Sequence, residues 1–188
     1  MWPISAGSWA LLNELAYLQA HPDIVKQVDQ LIFVLNSGDF GEASSWRCEY
    51  THPRSKPILA TYYLIKRYDF PTEDCGVLSP ALKVPAGDAL AQPRTFLRDF
   101  HKSVIVFLYP DKAELLSPER RYLALDRYIE PLQQADVQRV ISIAQDKRWR
   151  AAAYKDVIQP TVEATQVLAA IMADGLATTP TLSPSPQQ

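Results

Sequence analysis

Arg94, Arg98 and His101 stand at i, i+4 and i+7 in PRTFLRDFHKSVIVFLYP, residues 93–110. If that stretch is one helix, their side chains rise along a single side of it. It is the only place in the sequence where a histidine and two arginines would share a helix side. The large apolar residues Phe96, Leu97, Phe100, Val104, Phe107 and Leu108 recur at helical spacing beside them. The three polar residues therefore border an apolar face. The alternative role for Arg98 and His101 is to cover the edge of that face with their stems.

Arg94 and His101 resemble, at those two residues only, the loose arginine-to-histidine spacing of the helical HEPN ribonuclease family. The resemblance implies a helical fold in which His101 transfers a proton from a ribose 2′-hydroxyl and Arg94 stabilises the phosphate. It covers 8 residues of 188. Arg94 would also lie in the first turn of its helix, where a cation opposes the helix dipole.

A second group is Lys147, Arg148, Trp149 and Arg150, followed by Lys155. An aromatic interleaved with cations can stack on a base while its neighbours contact phosphates. The same cations near a helix C-terminus stabilise the dipole with no partner at all. Other chemistry has less to stand on. His21, His52 and His101 are not spaced to share a metal with one another, and Cys48 and Cys75 form no C-x-x-C pair. Cys75 follows Glu73 and Asp74, which favour its unreactive thiol. There is no glycine-rich phosphate loop and no nucleophile elbow. The expectation is no metal and no cofactor.

The formal net charge of −2, with 47% hydrophobic and 21% charged residues, describes an ordinary globular chain unsuited to indiscriminate nucleic-acid binding. Charge is uneven: residues 92–155 carry 12 basic and 8 acidic groups, and both flanks are acidic. No apolar run approaches the ~20 residues of a membrane span. The N-terminus lacks the basic region of a signal peptide, which places the chain in the cytoplasm.

The elements that must position these residues read as helices. Trp9, Leu12, Leu15 and Leu18 mark one over 8–20, and Ile24, Val28, Leu31, Ile32 and Leu35 mark a second after His21-Pro22-Asp23, so the two form a hairpin. Residues 46–51 alternate as a short strand does. Ser55 and Pro57 open a helix with Ile58, Leu59, Tyr62 and Ile65 on its buried face, although TYYLIKRYDF also suits a strand. Residues 71–93 form a long loop with four prolines. Ser117-Pro118-Glu119 starts a helix that Pro131 ends or kinks, Asp136 caps another through Val137, Val140, Ile141 and Ala144, and the last holds Val162, Val167, Leu168 and Ile171.

The sequence thus predicts an all-α, single-domain bundle of six to eight helices over residues 1–176, with room for one short strand or hairpin near 45–70. Residues 177–188 read as a disordered Pro/Ser/Thr tail. The expected function is a non-enzymatic cytoplasmic adaptor, regulator or assembly factor that binds a protein partner or itself. The alternatives are the HEPN-like ribonuclease using Arg94 and His101, and a helical nucleic-acid-binding regulator using Lys147, Arg148, Trp149 and Arg150, with Arg98 as a further interaction residue.

Overall fold

The computed structural model describes residues 3–4, 9–41, 58–69, 87–117, 125–135 and 137–177. Its centre is a three-stranded parallel sheet, which overturns the all-α expectation. In chain order the elements are α1 Leu11–Ala20, α2 Pro22–Gln27, β1 Gln30–Leu35, α3 Ala60–Asp69, α4 Ala91–Phe100, β2 Ser103–Leu108, α5 Lys112–Leu116, α6 Ile129–Gln134, β3 Arg139–Ser142 and α7 Val162–Ala177. The strands lie in the order β1-β2-β3, with Leu31 opposite Val104 and Val106 opposite Val140.

The central strand explains the correction. Val104 to Leu108 are all buried, because β2 has a strand on each side and a layer of helices on each face. A strand covered on both faces is apolar at every position and shows no alternation. Such a run satisfies helical spacing by accident. Three consecutive β-branched residues, Val104-Ile105-Val106, favour the strand.

The expected helix over 93–110 is therefore α4 followed by β2. The break is at His101, which adopts φ 50° and ψ 19°, the left-handed region that ends many helices. Histidine is among the few non-glycine residues found there with some frequency. Beyond it, Lys102 Nζ donates to the carbonyls of Lys26 and Val28, tying the start of β2 to the end of α2. The expected second helix is likewise α2 and then β1, and the expected helix over 137–153 is β3 followed by two short 3-10 turns, Ile143–Gln145 and Ala151–Ala153.

Other expectations resolve individually. Ala60–Asp69 is helical, not extended. Pro131 is the third residue of α6, a first-turn position where its missing N–H is tolerated. Helix α7 follows Pro160, as expected. The 46–51 strand, the Ser55 cap, most of the 71–93 loop, the 118–124 helix start, Asp136, Cys48, Cys75, His52 and the tail lie outside the described residues.

Two apolar clusters hold the layers together. On one face, Leu11, Leu15 and Leu18 of α1, Leu97 and Phe100 of α4, and Leu132 of α6 pack on Leu31, Phe33, Val104, Val106 and Leu108. On the other, Leu115 of α5, Trp149, Tyr154, and Ala164 and Ile171 of α7 pack on Ile105, Phe107 and Tyr109. This is a helix–sheet–helix sandwich. No helix among the described residues is long and apolar enough to cross a membrane.

Candidate functional site

In a parallel sheet every strand exits at the same edge, so the loops beyond the strands gather there. After β1, the turn Asn36–Phe40 is closed by its own side chains. Gly38 N donates to Asn36 Oδ1 at 2.7 Å, and Asn36 N donates to Asp39 Oδ2 at 2.7 Å. Glu14 of α1 lies against this turn. Burial, and then the charge of Asp39, push the Glu14 carboxyl up to about 7. Burial also raises Asp39, offset by the Asn36 N–H that it accepts.

After β2, Asp111 and Glu114 cap α5 reciprocally. Glu114 N donates to Asp111 Oδ1 at 2.7 Å and Asp111 N donates to Glu114 Oε2 at 2.8 Å. The D-x-x-E spacing carries this signature in the sequence.

The exit of β3 is the most elaborate. Ser142, its last residue, is buried and donates through Oγ to Asp126 Oδ1 at 3.1 Å. The chain then turns through Ile143–Gln145, and Asp146 organises the loop beyond that turn. Its N–H donates to the Ile143 carbonyl at 3.1 Å, and its carbonyl accepts from Trp149 N at 3.1 Å. Its Oδ1 accepts from the backbone N–H of Arg148 at 2.8 Å. The Arg148 guanidinium donates to both Asp146 oxygens and to Asp174 Oδ2 of α7 at 2.7 Å. Hydrogen bonding from Arg148 holds the Asp146 carboxyl below its ordinary range.

Trp149 anchors the loop from inside. It is 1% exposed and its Nε1 donates to Tyr154 Oη at 2.9 Å. Tyr154 Oη in turn donates to the Pro110 carbonyl at the exit of β2. A cleft of about 540 Å³ lies over this arrangement, lined by Leu115, Asp126, Gln145, Lys147, Arg150 and the wall formed by Trp149.

The residues singled out by sequence fall in different places. Arg94 and Arg98 are exposed on α4, where Arg98 pairs with Asp99 at 3.3 Å. That exposed pair contributes little to stability. His101 has left the helix, so the three do not rise along one helix side, and none lines the cleft. Lys147, Trp149 and Arg150 do line it. Trp149 is buried and has no face open for a base to stack on, and Arg148 is held between two carboxylates. Asp126 and Gln145 were missed. The signal for Gln145 is its position just after a parallel strand, visible only once 139–142 is read as one, whereas Asp126 reaches the site through its contact with Ser142.

Among the described residues, no three His, Cys, Asp or Glu side chains gather to hold a metal ion. Comparison with family models, with curated proteins and with solved structures found no match.

Glu14 makes stability depend on pH. Its folded value of about 7 lies above its ordinary 4.5, so the folded state holds the proton more tightly and stability falls as pH rises across that window. Glu14→Gln should raise the melting temperature at pH 8 and do little at pH 5. Equal shifts at both values in a thermal melt would show that the carboxyl is not perturbed.

Proposed function

We propose that this protein binds a small polar ligand at the carboxyl edge of its sheet, in the cleft beyond β3. The supporting observation is the position of that cleft, at the exit of a parallel strand on a loop already fixed by hydrogen bonds and a buried tryptophan. Ligands of open parallel sheets bind outside the strands' carboxyl ends. The volume is within the usual range for small-molecule sites, and a pre-ordered loop lowers the entropy lost on binding.

The test is an amide NMR spectrum of the chain with a panel of small polar fragments. Binding should move the signals of Gln145 to Ala151 and the indole N–H of Trp149. A panel that leaves these still removes the reading.

One observation favours a second reading, the adaptor. Leu59 is 63% exposed, Leu64 47% and Ile65 51%, an apolar surface on and beside α3 of the kind that protein partners cover. In the same spectra, α3 signals that move with protein concentration while the cleft ignores every fragment would support self-association instead.

A further inference from the structure

The cleft beyond β3 carries unequal demands at its two sources of side chains. Lys147 and Arg150 line it from the loop, and neither forms an ion pair among the described residues. Arg150 donates through one nitrogen to the carbonyl of Trp149 at 3.0 Å, which fixes its stem and leaves other donors available. Asp146 lines the same cleft and feels the charge of Arg150, but its carboxylate is occupied by Arg148. Both of its oxygens accept from the Arg148 guanidinium, and one also accepts from the Arg148 backbone. Two cations at a concave surface, with the local carboxylate already satisfied, favour an oxyanion.

Asp126 contributes the opposite chemistry from the connection between β2 and β3. Ser142 occupies its Oδ1, and its Oδ2 is left as an acceptor facing no cation within ion-pair distance among the described residues. A half-buried carboxylate oxygen of this kind takes a hydroxyl donor. The Gln145 amide, also in the lining, can donate or accept.

We infer that the ligand of this cleft is a small phosphorylated polyol, its phosphate held by Lys147 and Arg150 and a hydroxyl by Asp126. The inference rests on the ligand-binding reading above and specifies its chemistry. A single strand gripped by base stacking needs an aromatic face, and the one aromatic in the cluster is buried with its N–H already bonded. The fit is therefore to a single small molecule instead of a strand.

The experiment titrates the intact chain with ribose 5-phosphate, ribose, inorganic phosphate and a decathymidine strand, tracking the amides of Gln145 to Ala151 and the Trp149 indole. Ribose 5-phosphate should move them at lower concentration than phosphate, and phosphate at lower concentration than ribose. Lys147→Gln and Arg150→Gln should each weaken ribose 5-phosphate by roughly tenfold or more, the scale of one charge-assisted contact. Asp126→Asn should erase its advantage over phosphate. Lys147 and Arg150 are exposed, so their substitution leaves the fold intact. Ribose matching ribose 5-phosphate, with both cation variants unaffected, overturns the inference while leaving a ligand cleft in place. A decathymidine strand that binds more tightly than any small probe overturns it in favour of nucleic acid. Silence from all four probes overturns it as well, and the fragment panel then decides the broader reading separately.

Discussion

Replacing Trp149 by Ala should lower stability by about 3–5 kcal/mol, the usual loss for a fully buried aromatic reduced to a methyl group. Trp149 is 1% exposed and packs against two tyrosines, with ring centroids 5.6 Å from Tyr109 and 5.5 Å from Tyr154. The void left cannot close easily, because Tyr109 is tied to the Ile158 carbonyl at 2.7 Å and Tyr154 to that of Pro110. The indole N–H also satisfies the Tyr154 oxygen. Trp149→Phe separates the two contributions: it keeps most of the apolar contact and removes the donor, for a loss of about 1–3 kcal/mol. Urea denaturation monitored by circular dichroism measures both. If Trp149→Ala costs less than about 1 kcal/mol, the indole is on the surface, and the stacking role suggested by its basic neighbours returns.

That result bears on how much of this molecule its sequence discloses. Helices α1 and α7 are legible because polar residues interrupt their apolar stripes, so only one period fits. The strands are not legible for a physical reason. SVIVFL in β2 is apolar at nearly every position because that strand is covered on both faces, QLIFVL in β1 is as apolar although its burial alternates, and an uninterrupted run matches a helix as well as a strand. The break between α4 and β2 is hidden too, because His101 takes a left-handed conformation that glycine usually announces. The site divides in the same way. The cations at 147, 148 and 150 are visible as charge, but the burial of Trp149 depends on whether 139–142 is a strand. Asp126 joins the site only through its bond to Ser142, a contact that needs the β2–β3 connection to fold back.

The face of α7 that meets the sheet supplies the second large effect. Gly175 lies where that helix comes closest to the strands: a Cβ there would stand 2.7 Å from Phe107 Cε1 and 2.9 Å from Ile141 Cδ1. The Phe107 ring is 0% exposed and has no open space to retreat into. Two terms compete. Glycine to alanine inside a helix gains about 1 kcal/mol of propensity. Forcing a methyl group into a filled core loses about 1–3 kcal/mol. The overlap here is severe enough for the second to win, so Gly175→Ala should destabilise despite its better propensity. Gly175→Val adds two carbons and β-branching, and should cost about 3 kcal/mol. The Arg139 guanidinium donates to the Gly175 carbonyl at 2.6 Å, so lifting the helix also loosens the strand from which that arginine comes. A double-mutant cycle isolates the clash: Phe107→Leu should cost less in the Gly175→Ala background than alone, with a coupling of about 0.5–3 kcal/mol. A gain in stability for Gly175→Ala, or additive costs with Phe107→Leu, would mean that α7 does not pack on the sheet through this glycine.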